Sequence, residues 1–344
     1  MTRPVSLTCG LSLCFVLAMA ASATMADRTP DRLAGLTAVW KACGVPQVGI
    51  FGDVTTVIAN QAKTIYYRRG AGPWATTPFE FNGTHALTRL PNGRWLVVDT
   101  ENHRLVQLND LGSSAASAAR SELAGVTPKR PHDVIVDPAS GDVYVVAGDR
   151  RLFRFTDLEG PIDVWTFTPE EMGYVRALSW FDGRLHLASS SRGEVIRIED
   201  FAQRRYTRFR SPRPSQLRGL PSTQLSAADS RNDFDAGALS TTGLILNDVD
   251  KFGDWYYGTN DFLVSHALGA DTRPARLIRW KTWDDFERGK WQDLSERIPN
   301  DDTPLVPYFI TIHDGVLYTP VSRTADDMCE HSKILQLDLK SLPR

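Results

Sequence analysis

The feature of the sequence that most limits its fold is an internal repeat. Five segments share one pattern, in which an alternating apolar strand is followed by a Gly-containing turn and a second β-rich strand. The five segments begin at Thr84, Pro131, Val175, Leu246 and Tyr308. Most of them continue into a further strand, such as RLVQLN, RLFRFT or KILQLD, and a weaker sixth unit begins at Val54. Repeats of about 40 to 50 residues with three or four strands each are typical of β-propellers.

The repeat therefore predicts an all-β fold, a six-bladed β-propeller. Alternation of apolar and polar residues with period 2 is frequent in the chain, whereas the 3.6-residue period of amphipathic helices is scarce, which argues against a helical fold. Residues 27–344 are expected to form one domain, with about 53 residues for each of six units. Because a propeller has to close its ring, we expect strands from the N- and C-terminal ends to pair.

The first 26 residues have the features of a secretory signal peptide. Arg3 provides a weak positive charge, an apolar run extends from Leu11 to Met19, and the small residues ASA follow as a cleavage site. The apolar run is shorter than the ~20 residues that a membrane-spanning helix needs, so we expect no stable membrane span. A secreted or periplasmic protein is therefore predicted. The formal net charge of −2 gives no basic surface, which argues against a nucleic-acid partner.

Two cysteines, Cys43 and Cys329, remain after removal of that segment. In an oxidising compartment they can pair, and a disulfide that closes so long a loop stabilises by about 4–5 kcal/mol in the chain-entropy model. The alternative is two unrelated thiols. If the ends of the ring meet, a Cys43–Cys329 disulfide would lie where they join.

Aligning the innermost strands by their turns places polar side chains at one opening of the central channel. Residues at equivalent positions of successive inner strands form a column. In blade order, the first column is His85, His132, Arg176, Asn247 and Phe309. The neighbouring column is Ala86, Asp133, Ala177, Asp248 and Ile310. An unpaired buried charge is costly, and oxygen ligands favour calcium over a transition metal, so a bound calcium ion would satisfy the carboxylates. The alternative is a channel lined by polar residues that bind only water. Arg176 would either orient an anionic ligand or pair with Asp133.

Two segments resemble known propeller families. VVDTENHRLVQL is similar to the signature of NHL repeats. LNDVDKFGDWYYGTNDF resembles the paraoxonase family of calcium-dependent lactonases and arylesterases, in which an Asn-Asp pair precedes a Tyr-Gly-Thr-Asn-Asp run at this spacing. PHDVIVDPASGDVYVV resembles the Pro-His strand of the same family one blade earlier. The resemblance supports a β-propeller and suggests a hydrolase.

The paraoxonase resemblance implies a site at the channel mouth. Asn247 and Asp248 would bind calcium, together with Asp53 as an acidic ligand from the first blade, and the terminal cysteines would form a closing disulfide. Calcium would polarise an ester or lactone carbonyl while a nearby group acts on water. His132 is the expected channel-mouth histidine, with Asp133 and His85 as further catalytic candidates. The family takes more Asn or Asp ligands from later blades, and PYFITIH offers none at the equivalent place, so another blade supplies them or only a structural ion remains.

Two functions from different classes follow. The first is a calcium-dependent hydrolase of small-molecule esters or lactones, and the second is a non-catalytic NHL-type propeller that recognises a peptide, glycan or protein partner. PHDV also occurs in the propeller lyase that completes peptide amidation. That enzyme needs three zinc-binding histidines, and only His85 and His132 lie in the column, so this interpretation ranks lower.

Two insertions, at about residues 204–243 and 262–274, lengthen the units around the Asn247 strand. The connections that carry them emerge at the channel mouth, and long loops on a rigid scaffold tend to be functional or disordered. We expect a lid over the polar columns. The alternative for the first insertion, which is rich in arginine and then in aspartate, is a solvated loop that pairs with its own acidic half.

Overall fold

Six four-stranded antiparallel sheets make up the described part of the chain. The computed structural model describes residues 31–36, 44, 46–189, 192–212, 246–260, 277–298, 305–323 and 332–343. Residues Arg32–Arg344 form one compact unit. Cys43, Cys329, the predicted signal peptide at residues 1–26, most of the first insertion and the whole of the second one lie outside the described residues. The predicted disulfide, export and lid therefore remain predictions.

Each sheet is one blade, built from strands that are consecutive in the sequence. Blade 1 contains β1 (Val48–Phe51), β2 (Val54–Ala59), β3 (Thr64–Arg69) and β4 (Ala75–Thr76). Blade 2 contains β5 (Ala86–Arg89), β6 (Trp95–Asp99), β7 (Arg104–Leu108) and β8 (Ala118–Arg120). Blade 3 contains β9 (Pro131–Val136), β10 (Val143–Ala147), β11 (Arg151–Phe155) and β12 (Asp163–Thr166).

Blades 4 and 5 follow the same plan, whereas in blade 6 the first two short strands both pair with the third one, so that the inner strand is interrupted. Blade 4 contains β13 (Val175–Phe181), β14 (Arg184–Ser189), β15 (Glu194–Asp200) and β16 (Arg205–Arg210). Blade 5 contains β17 (Leu246–Phe252), β18 (Trp255–Asn260), β19 (Leu277–Trp280) and β20 (Gln292–Asp293), with the short helix α1 (Trp283–Glu287) before β20. Blade 6 contains β21 (Leu305–Pro307), β22 (Thr311–His313), β23 (Val316–Arg323) and β24 (Lys333–Asp338). The predicted six-bladed propeller is confirmed.

The turns between first and second strands have the backbone geometry that their residues favour. Asp182 and Gly183 have φ values of 52° and 68°, and Asp314 and Gly315 have 52° and 81°. Two consecutive positive φ values define the type I′ turn, whose twist matches that of antiparallel strands, and Asp-Gly adopts it readily. These turns give the inner strand of each blade a defined register with its neighbour.

The core consists of six clusters of buried apolar side chains, one at each interface between neighbouring blades. Leu96, Val98 and Phe153 belong to the cluster between blades 2 and 3. Val57 and Tyr318 belong to the cluster between blades 1 and 6. Apolar packing therefore continues around the whole ring.

Pairing of N- and C-terminal strands, which we expected to close the ring, is not seen among the described strands. Among the described strands, no sheet combines N-terminal and C-terminal segments. Blades 6 and 1 instead meet through hydrogen bonds between their inner strands, because Thr311 Oγ1 donates to the Val48 carbonyl and the Phe309 N–H donates to the Pro46 carbonyl. In the part of the chain that the structure describes, no helix has the length and apolar character needed to cross a membrane.

The packing at one blade interface can be tested with Phe153→Ala. Phe153 is fully buried between blades 2 and 3, so the truncation should lower the free energy of unfolding by about 3–5 kcal/mol. Urea unfolding measures the change. Gln336→Ala on the exposed face of β24 is the control and should stay within about 0.5 kcal/mol of wild type. A change below about 1 kcal/mol for Phe153→Ala would contradict this packing.

Candidate functional site at the channel mouth

Three of the predicted site residues are placed by the same backbone irregularity. In blade 3, Pro131 and Asp133 pair with consecutive residues of β10, so His132 is the additional residue of a β-bulge. Arg176 occupies the equivalent position in blade 4 and Asn247 in blade 5. A bulge changes the direction of its side chain and is common next to active sites. The repeated bulge therefore accounts for three neighbouring polar side chains at the start of the inner strands.

These side chains form a continuous series across four blades. The rings of His85 and His132 are 4.8 Å apart at an angle of 87°, and the rings of His132 and Tyr174 are 5.0 Å apart at 76°. The Arg176 guanidinium lies 5.8 Å from the Tyr174 ring, and its Nη1 donates to Asn247 Oδ1 at 3.1 Å. We call these five residues the channel-mouth cluster. Tyr174 was not predicted, and its only signal in the sequence is an aromatic residue directly before the blade 4 strand.

The His132 side chain is buried, and its ring nitrogens form no hydrogen bond with the described residues. Its side chain is almost fully buried, and neither ring nitrogen has a hydrogen-bond partner among the described residues. The Thr84 hydroxyl, next to His85 in the chain, is likewise buried without a partner there. A buried polar group without a hydrogen bond costs about 1–3 kcal/mol, so such groups need an explanation.

His85 is partly buried and has a defined hydrogen-bond environment. Its Nδ1 lies 2.6 Å from the Gly83 carbonyl oxygen and 3.0 Å from Thr100 Oγ1. The carbonyl can only accept, so Nδ1–H is the donor and Nε2 carries the lone pair. Nε2 is therefore the nitrogen of His85 that remains able to accept a proton.

Both histidines are neutral at pH 7. Burial lowers the pKa of His85 to about 3, and the positive charges of Arg130 and Arg176 act in the same direction. Burial also lowers the pKa of His132 well below its ordinary value of 6.5, with further contributions from His85, Arg176 and Arg130. The channel mouth thus presents uncharged imidazoles close to two arginines.

Asp133 and Asp248 have a different role, since each joins two blades through backbone hydrogen bonds. Asp133 accepts the N–H of Val134 at Oδ1 (2.8 Å) and that of Leu178 in blade 4 at Oδ2 (2.7 Å). Asp248 accepts from Val249 at Oδ1 and from Ile310 in blade 6 at Oδ2, both at 2.7 Å. The predicted need for a neutralising ion is therefore met in part by N–H donors from the next blade.

Asn247 also connects blades. Its Oδ1 accepts from Arg176 in blade 4, and its Nδ2 donates to the Pro307 carbonyl in blade 6 at 2.8 Å. Of the two roles expected for Arg176, pairing with Asp133 is not observed, and Arg176 Nη1 donates to Asn247 instead. The hydrogen bonds of Arg176 and Asn247 hold three successive inner strands together at the channel mouth.

The described residues do not form a calcium cage. The oxygens of Asn247 and Asp248 already accept protein donors, and Asp53 lies in the exposed turn after β1, at the opposite end of the inner strand from the Asn247 position. No group of three or more His, Cys, Asp or Glu within the described ranges is arranged to hold a metal ion. Calcium at this site remains a prediction from the family resemblance.

Comparison with known proteins shows the fold. Neither a protein-family model nor a curated protein matches the sequence. A catalytically inactive variant of virginiamycin B lyase from Staphylococcus aureus, solved with quinupristin, is 14% identical over 88% of this chain and 86% of that chain, with a TM-score of 0.54. A luciferin-regenerating enzyme is 9% identical over 88% and 93%, with a TM-score of 0.56. Propellers similar to this chain thus include enzymes, and the NHL and paraoxonase families remain a resemblance.

The inter-blade aspartates predict an unusual pH dependence. Burial raises the pKa of Asp133 to about 7 from its ordinary value of 3.8, although its two N–H bonds oppose the shift. The folded state therefore binds this proton more tightly than the unfolded state, so the contribution of Asp133 to stability is complete below about pH 4 and is lost as pH rises through 7. The stability of wild type relative to Asp133→Asn should fall by about 1–4 kcal/mol between pH 4 and pH 8.

Urea unfolding of both proteins at several pH values measures this difference. Asp157→Asn, which changes an exposed turn residue, is the control and should differ from wild type by the same amount at each pH. If the free energy of unfolding of wild type relative to Asp133→Asn stays constant or rises with pH, the raised pKa of Asp133 is contradicted.

Proposed function

We propose that the protein is an exported enzyme that hydrolyses a small-molecule ester or lactone at the channel mouth, with His132 accepting a proton from the attacking water. The observation that carries the proposal is that both nitrogens of His132 are buried without a hydrogen-bond partner among the described residues. Asp133, Arg176, Asn247 and Asp248 bond to neighbouring blades and His85 bonds within its own blade, whereas the ring nitrogens of His132 bond to no described residue.

The proposed reaction uses the cluster as follows. Neutral His132 takes a proton from water as the water oxygen attacks the substrate carbonyl, and His85 lies against its ring. The tetrahedral intermediate then collapses, the C–O bond to the leaving oxygen breaks, and His132 returns its proton to that oxygen, which regenerates the neutral imidazole. The Arg176 guanidinium, fixed by Asn247, is placed to stabilise the negative charge that develops on the carbonyl oxygen. That negative charge also offsets the two arginines that lower the pKa of His132, so the imidazole becomes a stronger base as the transition state forms.

The similar propellers support catalysis on this scaffold without defining it. Virginiamycin B lyase and the luciferin-regenerating enzyme share the fold at identities that carry no specific function. Export rests on the signal-peptide features of the first 26 residues. The ester or lactone class rests on the resemblance to paraoxonases and on the neutral histidine beside an arginine.

A non-catalytic propeller that binds a peptide, glycan or protein is the second candidate. One observation favours it, since Asp133, Asn247 and Asp248 are explained by hydrogen bonds between blades and need no substrate. In that case the histidines would contact a bound partner rather than transfer a proton.

Replacement of His132 tests the hydrolase directly. On a panel of aryl esters and lactones, His132→Ala should lower kcat/KM by at least about 100-fold, because general-base catalysis contributes about 10²–10⁴. The protein should stay folded, since the change removes ring contacts with His85 and Tyr174 and no hydrogen bond to a described residue. His313→Ala is the control, because His313 lies at the hairpin end of blade 6 and contacts Arg32 and Asp314. It should retain full activity.

The same assay separates the alternatives. If folded wild-type protein turns over no member of the panel, the hydrolase is wrong and the binding propeller is favoured. If EDTA removes activity and added calcium restores it, the predicted calcium is supported and the metal-free role of His132 is contradicted.

The pH profile gives an independent test. Because the neutral form of His132 is required and its pKa is lowered by burial, kcat/KM should not decline as pH falls from 8 through 6.5. The acid limb should lie well below the ordinary histidine value. An acid limb centred near pH 6.5 would show that an exposed histidine, and not His132, controls the reaction.

A further inference from the structure

The channel contains a cavity beyond the channel-mouth cluster. It has a volume of about 210 Å³ and is lined by inner-strand residues of all six blades. The residues that line it lie further along these strands than the cluster, and no member of the cluster is among them. The volume corresponds to about seven water molecules in the liquid, which is enough for a small organic molecule. The cavity is therefore a second possible ligand site, distinct from the histidines.

Apolar side chains line the part of the cavity nearest the strand ends. Phe51, Ile135, Trp180 and Ile312 lie at or near the ends of β1, β9, β13 and β22, and each is partly exposed. Ligand sites in proteins are typically lined by apolar and aromatic groups with a few polar ones. This part of the cavity suits an apolar group of a ligand.

Two carboxylates give the cavity a negative character. Asp133 and Asp250 both line it, and the described residues that line it include no Lys, Arg or His. Asp250 repeats the geometry of Asp133, since its Oδ1 accepts the N–H of Lys251 at 2.7 Å and the backbone of Ile312 in blade 6 is also a donor to it. Burial raises the pKa of each carboxyl to about 7, the direction expected where no neighbouring cation stabilises the charged form.

A hydroxyl group adds an unused polar atom. Thr88, from blade 2, lines the same cavity and is 7% exposed. Its hydroxyl forms no hydrogen bond with any residue in the described ranges. A hydroxyl at the wall of a cavity that bonds to no described residue is a candidate acceptor for a ligand N–H.

We propose that this cavity binds a small organic cation, a primary ammonium attached to an apolar or aromatic group. The ammonium would lie near Asp133 and Asp250 and donate to the Thr88 hydroxyl, since its three donors need acceptors when it leaves water. The apolar part would contact Phe51 and Trp180. This site goes beyond the proposed hydrolase and does not depend on it.

Calorimetric titration of the mature protein at pH 8 with 2-phenylethylammonium and with 2-phenylethanol tests the proposal. The two probes have the same size and differ only in the charged group. The ammonium should bind at least about tenfold more tightly, because hydrogen bonds to charged groups are the stronger ones. Asp250→Asn should remove that preference, and Thr88→Val, which keeps the side-chain shape, should weaken the ammonium severalfold.

His132→Ala is the control that separates this site from the proposed hydrolase, and it should leave ammonium binding unchanged. Equal affinity for the ammonium and the alcohol would overturn the proposal. So would an unchanged ammonium affinity in both variants. If Asp250→Asn does not fold, Thr88→Val decides, because it introduces no charge and no change of volume.

Discussion

The carboxylate that bonds the backbone of the next blade is the interaction on which the centre of this propeller depends. The innermost strand of a blade has a sheet neighbour on one side only, so its other edge presents N–H groups without a strand partner. Asp133 and Asp248 each accept one N–H of their own strand and one from the next inner strand. The same side chain thus satisfies two backbone donors and fixes the position of one blade relative to the next.

These inter-blade hydrogen bonds place the carboxylates of Asp133 and Asp248 in a region with little water. Burial raises the pKa of Asp248 well above its ordinary value, and the nearby Asp133 charge acts in the same direction. The carboxylates therefore stabilise the fold as hydrogen-bond acceptors and destabilise it as buried negative charges, and the two effects oppose each other. The expectation that an ion neutralises them took account of the second effect only. It missed the backbone donors, because hydrogen bonds between blades cannot be seen in a pattern of side chains.

The sequence was sufficient for the fold and for the position of the polar columns. The repeat and turns such as Asp182-Gly183 predicted six blades, because turn chemistry and apolar alternation are local properties. The bulges at His132, Arg176 and Asn247 were not predictable, since a bulge is a mismatch between two strands and leaves the pattern of each strand almost unchanged. Tyr174 contacts two of these bulge residues, His132 and Arg176, and so could not be assigned to the cluster from the sequence.

His132 differs from the inter-blade residues in what it contributes to stability. An imidazole whose two buried nitrogens bond to none of the residues described in the structure lowers the stability of the fold, while an apolar side chain at the same place would pack against His85 and Tyr174 without that cost. Asn247 occupies the equivalent bulge position two blades further round the ring. Its side-chain oxygen and nitrogen both form hydrogen bonds, which shows that the same backbone geometry can hold a bonded polar side chain. A residue that lowers stability where a bonded alternative is available is best explained by a ligand or a reaction. The unpaired nitrogens of His132 therefore support a functional channel mouth more strongly than the carboxylates, whose bonds already account for their presence.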